Sequence, residues 1–244
     1  MHPAAILRRA VDLIFPLRCA GCGAFDTPLC AHCEASLTPA VGPGRCANCT
    51  ARWSGPEFCP RCYNWNELAG ARALYEHEGA ARALVHRLKY QRYRALAPLL
   101  AQRLAPAAAN LPVDGWVAVP LHPSRQRHRG FNQAELLLRL AALPPAPVTL
   151  HRTRNTGSQI GRTAAQRAAS LAGAFTVQGP PLENLSIGIL DDVITSGATI
   201  RECARVLLHH GAREVWALAV TRASLELTSQ NTVGPPPPST PTTP

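Results

Sequence analysis

The sequence contains one lysine, one methionine and few aromatic residues, and it has no long apolar run. Lys89 is the only lysine, and no glycine-rich loop precedes it, which excludes the phosphate-binding loop of P-loop nucleotide hydrolases. Because no apolar stretch reaches about 18 residues, we expect no transmembrane helix. Arg8, Arg9 and Asp12 interrupt the apolar stretch near the N-terminus, which is not typical of a secretory signal peptide, so we expect a cytoplasmic protein.

Acidic residues are also few, and the resulting basic excess is confined to one part of the chain. The 244 residues carry a formal net charge of +10. Residues 72–167 contribute +11, residues 1–71 contribute +1 and residues 168–244 contribute −2. A concentrated basic region is typical of proteins that bind the phosphates of a small molecule or of nucleic acid. A solvated basic surface without a ligand is the alternative interpretation.

The hydrophobic pattern divides the chain into segments. Residues 1–16 predict an amphipathic helix, residues 17–66 are rich in Cys, Gly and Pro without periodicity, and residues 229–244 predict a disordered tail rich in Pro and Thr. Between them apolar runs alternate with helical patterns, which predicts an α/β fold with parallel βαβ units. We expect strands at residues 116–119, 148–150, 186–190 and 214–221, and helices at residues 71–105, 131–143, 164–171 and 198–210.

Eight of the nine cysteines form four C-x-x-C pairs within residues 17–66. Two such pairs supply the four thiolates of one tetrahedral zinc site, so four pairs predict two structural zinc ions. Short loops lose less entropy on closure, which favours pairing of consecutive rather than interleaved motifs. Consecutive pairing places one zinc among Cys19, Cys22, Cys30 and Cys33, and the other among Cys46, Cys49, Cys59 and Cys62. The ninth cysteine, Cys203, is predicted to be a buried packing residue.

An acidic pair and a hydroxyl-rich turn follow the apolar run Ile187–Leu190. Asp191 and Asp192 stand at the carboxyl end of this predicted strand, where open α/β sheets bind ligands. Two adjacent carboxylates can hold sugar hydroxyls or a hydrated Mg²⁺. The turn leads into a predicted helix, and its N–H groups and hydroxyls can bind a phosphate. It consists of Thr195, Ser196, Gly197, Ala198 and Thr199. Together these features predict a site for a ribose 5-phosphate group.

The motif ILDDVITSGAT at residues 189–199 resembles the phosphoribosyl pyrophosphate (PRPP) motif of type I phosphoribosyltransferases. Other stretches are similar to the ComF/GntX-like family of competence-associated phosphoribosyltransferase homologues: FPLRCAGC at 15–22, LKYQRY at 88–93, VPLHPSRQRHRGFNQAELL at 119–137 and TRNTGSQ at 153–159. The resemblance implies a type I phosphoribosyltransferase-like parallel sheet with flanking helices over residues 71–228. It also implies a preceding double zinc ribbon over residues 17–66.

The resemblance further implies roles for individual residues. Asp191 and Asp192 would bind the ribose hydroxyls of PRPP, which binds together with Mg²⁺, and residues 195–199 would bind its 5-phosphate. Arg129 would lie near the pyrophosphate. Three more residues would belong to a mobile loop that covers the substrate: Arg152, Arg154 and Gln159.

Two functional hypotheses follow from this resemblance. One is a PRPP-binding protein that assists single-stranded DNA uptake in natural transformation, together with the DNA-uptake machinery. The other is an active phosphoribosyltransferase that acts on an unidentified nucleobase or amine. For the first hypothesis we expect a basic cluster outside the PRPP motif to bind the DNA strand; its residues are Arg87, Lys89, Arg92 and Arg94.

Overall fold

The computed structural model describes residues 17–55, 59–60, 62–63, 65–90, 93–154 and 164–223. The predicted N-terminal helix, the predicted C-terminal tail and Gln159 lie outside the described residues. Within the described ranges, none of the helices combines the length and the apolar character needed to cross a bilayer.

Six strands and seven helices are formed by the described residues. The strands are β1 (Gly70–Glu76), β2 (Gly115–Ala118), β3 (Thr149–Arg152), β4 (Phe175–Gln178), β5 (Ser186–Ile194) and β6 (Glu214–Arg222). The helices are α1 (Ala31–Ala35), α2 (Gly79–Tyr90), α3 (Leu96–Ala109), α4 (Pro123–Arg129), α5 (Gln133–Leu140), α6 (Ala164–Leu171) and α7 (Ala198–His209).

Four parallel strands form the central sheet in the order β1, β6, β5, β2. Strand β5 is central and almost entirely apolar up to Leu190, as expected for a parallel strand covered on both faces. Strand β2 pairs with β5 only as far as Leu190, whereas β6 follows β5 to its end at Ile194. The last residues of β5 therefore extend beyond the β2 edge of the sheet.

Helices cover both faces of the central sheet, because the side chains of β5 and β6 alternate between two apolar clusters. Ile189 and Ala217 pack on the face covered by α7, whereas Leu190 and Leu218 pack on the face covered by α2 and α3. This layered parallel sheet confirms the predicted α/β fold class.

Several details differ from the sequence-based expectation, among them β4, which was not predicted, and the division of the helix predicted at residues 71–105 into β1, α2 and α3. Residues 71–76, the start of the helix predicted at residues 71–105, instead belong to β1, because hydrogen bonding to β6 along the strand outweighs the helical preference of Ala, Arg and Leu. The strand predicted at residues 148–150 occurs as β3, but it pairs antiparallel with β4 in a separate two-stranded sheet. Helix α4 was not predicted, since residues 123–129 have no buried side chain and hence no apolar periodicity.

Candidate functional site

The acidic pair lies on β5 just past Leu190, where β2 has ended. Asp192 is buried, with 2% of its surface exposed, and Asp191 is half-buried. The backbone N–H of Asp192 donates to Asp191 Oδ1 at 2.8 Å. Burial and the charge of Asp192 raise the pKa of Asp191 to about 7. Asp191 therefore holds a proton more readily than an ordinary aspartate.

Lys89 neutralises one member of the acidic pair. It projects from the last turn of α2, and its Nζ lies 2.7 Å from Asp192 Oδ1. The other oxygen, Asp192 Oδ2, is buried and has no hydrogen-bond partner among the described residues. Sequence reasoning assigned Lys89 to a DNA-binding cluster outside the PRPP motif, and the contact with Asp192 contradicts that assignment. Two features of the sequence could have pointed to this role: Lys89 is the only lysine, and it lies in the stretch LKYQRY that resembles the family.

His77 is linked to the backbone of the acidic pair through Thr221, and the sequence analysis did not identify it as a site residue. Its Nδ1 lies 2.9 Å from Thr221 Oγ1, and that hydroxyl donates to the backbone oxygen of Asp192 at 3.3 Å. Burial and the nearby charges of Lys89 and Arg82 lower the pKa of His77. We therefore interpret His77 as a neutral residue that supports the backbone of β5.

The hydroxyl-rich turn connects β5 to helix α7. Gly197 caps the helix with φ of +82°, a left-handed conformation that glycine adopts without strain. Ser196 Oγ accepts a hydrogen bond from the N–H of Ala198 at 3.5 Å. Helix α7 is 12 residues long, so its N-terminus adds a partial positive charge to the N–H groups of this turn. The predicted phosphate-binding residues thus occur as one turn beside the acidic pair.

The three described arginines of the predicted set lie in different surroundings. Arg152, on β3, is close enough to Asp191 for the two charges to interact, although burial lowers its pKa. Arg129 donates to Gln133 Oε1 at 2.6 Å and lies over the Tyr90 ring. Arg154 donates to the Ala172 carbonyl and lies near the end of α6.

The eight paired cysteines gather into two clusters, as consecutive pairing predicts. The first cluster consists of Cys19, Cys22, Cys30 and Cys33, and the second of Cys46, Cys49, Cys59 and Cys62; within each, the four sulfurs lie within 4.8 Å of one another. Sulfur–sulfur distances of 3.4 Å and 3.5 Å in the second cluster are too long for disulfides. They approach the separation of about 3.8 Å that a zinc ion with four thiolate ligands imposes.

The two cysteine clusters differ in burial. All four cysteines of the second cluster are buried, whereas Cys22 of the first is exposed. The donor set in both is four sulfurs, which fits structural zinc without an open position for catalysis. Cys203 belongs to neither cluster. It is fully buried on α7, and burial raises its pKa well above the ordinary value, which agrees with the predicted packing role.

Known proteins resemble the chain in both of its parts. Residues 10–63 match the family model described as "Double zinc ribbon domain". "DNA utilization protein YhgH" of Salmonella typhi is 33% identical over 211 residues, which cover 79% of this chain and 90% of that protein. "Competence protein ComFC" of Streptococcus pneumoniae is 26% identical over 200 residues, covering 81% of this chain and 89% of that protein.

Solved structures show weaker likeness. The hypoxanthine-guanine phosphoribosyl transferase of L. donovani is 13% identical, covers 57% of this chain and 71% of its own, and superposes with a TM-score of 0.29. A score this low adds nothing to the assignment, which rests on the sequence relatives. The chain is 33% identical to a YhgH protein over an alignment that covers 90% of that protein, and both four-cysteine clusters are in place; it therefore belongs to the ComFC/YhgH family of competence and DNA-utilization proteins that carry a double zinc ribbon.

Proposed function

We propose that this protein binds PRPP with Mg²⁺ and assists the handling of single-stranded DNA in natural transformation. The observation that carries the PRPP assignment is the continuous arrangement of acidic pair, turn and helix N-terminus at one end of a parallel sheet. The DNA role is carried over from relatives named for DNA utilization and competence. The basic region around α2 and α4 supports it.

Each part of the proposed PRPP site has a chemical counterpart in the ligand. Asp192 Oδ2, buried and without a hydrogen-bond partner among the described residues, can accept a hydrogen bond from a ribose hydroxyl. The N–H groups of residues 195–199 suit the 5-phosphate. Arg152 suits the pyrophosphate, which carries the remaining charge.

The acidic pair is better suited to ribose hydroxyls than to direct metal coordination. Lys89 already places a positive charge 2.7 Å from Asp192 Oδ1, which disfavours a second cation on the same carboxylate. When Mg²⁺ is bound, it supplies charge neutralisation for the pyrophosphate. Mg²⁺ usually keeps several waters, so contact with Asp191 through water is compatible with this assignment.

The test of the PRPP assignment is calorimetric titration of PRPP and MgCl₂ into Asp191→Asn/Asp192→Asn. We expect the affinity to fall roughly a hundredfold, because hydrogen bonds to charged groups contribute about 1.5–3 kcal/mol each. Asp114→Asn is the matched control. Asp114 accepts a hydrogen bond from the N–H of Ser186 at the opposite end of β5, so its loss should leave PRPP binding unchanged. Equal affinity in the double variant and the wild type would place the PRPP site elsewhere.

An active phosphoribosyltransferase is the second candidate function. The observation in its favour is Asp191, since a carboxyl group with a pKa of about 7 can accept a proton during a reaction at neutral pH. Pyrophosphate release from PRPP in the presence of a nucleobase or an amine would decide for this activity. Binding of PRPP without release of pyrophosphate would favour the accessory role in DNA handling.

A further inference from the structure

Trp65 connects the second cysteine cluster to the hydroxyl-rich turn. Trp65 follows Cys62, the last cysteine of that cluster, by three residues. The backbone N–H of Trp65 donates to the Cys62 carbonyl at 3.0 Å. The ring of Trp65 is buried and occupies the space next to Gly197. A Cβ added at Gly197 would lie 2.4 Å from Trp65 Cζ2. The turn is therefore packed against the Trp65 ring with no room for a side chain at position 197.

An ion pair also connects the segment after the second cysteine cluster to helix α7. Glu67, two residues past Trp65, accepts hydrogen bonds from Arg201 Nε and Nη2, both at 2.9 Å. Arg201 lies in the first turn of α7, and its backbone N–H donates to the Gly197 carbonyl. Two hydrogen bonds to one carboxylate hold a guanidinium in one orientation more firmly than a single hydrogen bond would.

A buried arginine lies beside the Trp65 ring. Arg222 is 1% exposed, its guanidinium lies 5.6 Å from the centre of the Trp65 ring, and its three side-chain nitrogens have no hydrogen-bond partner among the described residues. Glu76 occupies the neighbouring register position on β1, but its carboxylate pairs with Arg45. Burying a guanidinium in this way is costly unless an opposite charge lies close by.

Trp65 belongs to the same buried cluster as all four cysteines of the second site, and these thiolates bring negative charge to that cluster when they bind zinc. Zinc bound by four thiolates carries two more negative charges than positive ones. Arg72 provides another positive charge, since its Nη1 donates at 3.0 Å to the carbonyl of Asn48, which lies between Cys46 and Cys49 in sequence. Arg72 and Arg222 thus both lie against the segment that carries these cysteines.

We propose that the second cysteine cluster, acting through Trp65, Glu67 and Arg222, holds the turn Thr195–Thr199 in its binding shape, so that phosphate binding depends on this zinc site and not on the other. The inference rests on the proposed function only in taking the turn as the phosphate site. The first cluster has no such connection among the described residues: it packs on α2 and α3 at the opposite face of the sheet.

The direct test is hydrogen exchange of the peptide covering residues 195–203 in Trp65→Leu. We expect this variant to keep both zinc ions and its amides in the turn to exchange about tenfold faster than in the wild type, because the packed ring is lost. Trp65→Phe, which keeps an aromatic face, should restore much of the protection. Tyr63→Leu is the matched control, since Tyr63 lies in the same segment but is exposed. Unchanged exchange in Trp65→Leu would overturn the proposal.

A second pair of variants covers the case in which Trp65→Leu fails to fold. Glu67→Gln removes the contact between the second cluster and α7, whereas Glu34→Gln removes the corresponding contact between the first cluster and Arg103 on α3. We expect faster exchange of the turn in Glu67→Gln alone. Equal exchange in the two variants, at the wild-type rate, would count against the proposal.

The role of Arg222 is tested by the rate at which a chelator removes zinc. Arg222→Met should release the zinc of the second cluster about tenfold faster while the first cluster is unaffected, because the buried positive charge is gone. Arg222→Lys, which keeps a charge, should lie closer to the wild type. Release rates equal to those of the wild type in Arg222→Met would show that Arg222 does not act on the zinc site.

Titration of PRPP separates this proposal from the proposed function. If the wild type binds PRPP, its affinity should fall about tenfold in Trp65→Leu and stay unchanged in Tyr63→Leu. If the wild type does not bind PRPP, the proposed function fails. Hydrogen exchange still decides whether the second cluster holds the turn.

Discussion

Asp191 of the acidic pair has a pKa well above that of a solvated aspartate. Its ordinary pKa is about 4, and burial together with the charge of Asp192 raises it to about 7. Lys89 and the N–H of Asp192 act in the opposite direction. A carboxyl group whose pKa rises on folding stabilises the folded state below its ordinary pKa and loses that contribution as the pH rises through the folded value.

The stability of the ligand-free protein should therefore carry a pH signature of this residue. Between about pH 4 and about pH 7, the free energy of unfolding of the wild type should fall relative to that of Asp191→Asn, since only the wild type acquires a partly buried charge. Urea unfolding of both proteins at several pH values measures this difference. A difference that stays constant across the range would mean that Asp191 is already ionised at the lower pH.

At the scale of elements, the two cysteine clusters are alike in sequence and different in setting. Both have the C-x-x-C spacing, but the second is enclosed by the sheet and by Trp65, whereas the first leaves Cys22 exposed. Zinc exchange with a chelator requires access to the thiolates, so burial should slow it. The C-x-x-C spacing alone predicted the zinc ligands. The difference in burial between the two cysteine clusters depends on the residues that pack against each cluster.

We expect two zinc ions per chain that leave in two separate phases when a chelator is added. The fast phase should come from the first cluster, so Cys22→Ser should remove the fast phase and keep the slow one. Metal analysis and the absorbance of a zinc-binding dye measure stoichiometry and rate. A single phase, or one zinc per chain, would contradict this assignment of the clusters.

Local patterns predicted the parts of the site, and distant contacts determined how they act. The acidic pair and its turn are contiguous in sequence, so their chemistry could be inferred from spacing. The pairing of Lys89 with Asp192, and the packing of Trp65 on Gly197, join segments that are far apart in the chain and leave no periodic signal. The same reason explains β1, whose residues favour a helix in isolation and form a strand because β6 pairs with them.

At the scale of the whole molecule, the basic excess includes a surface on which cations alternate with aromatic rings. The Arg94 guanidinium lies 4.6 Å from the centre of the Phe131 ring, and that of Arg129 lies 5.2 Å from the centre of the Tyr90 ring. Tyr90 is 62% exposed. Exposed rings beside guanidinium groups are typical of surfaces that stack the bases of single strands. Lys89 must be left out of this surface, since it pairs with Asp192, and Arg92 lies outside the described residues.

Single-stranded DNA and PRPP should therefore respond differently to salt and to loss of surface charge. DNA affinity should fall steeply with salt through counterion release, and Arg87→Gln/Arg94→Gln should weaken it and reduce the salt slope by about 0.7 for each charge removed. PRPP binding should be nearly unchanged in this variant. Arg213→Gln, at the opposite end of the sheet, is the matched control. Fluorescence anisotropy of a labelled oligonucleotide at several salt concentrations measures the slope. If the wild type shows no DNA affinity at low salt, the DNA role is wrong for this chain, and the basic surface serves only the phosphates of PRPP.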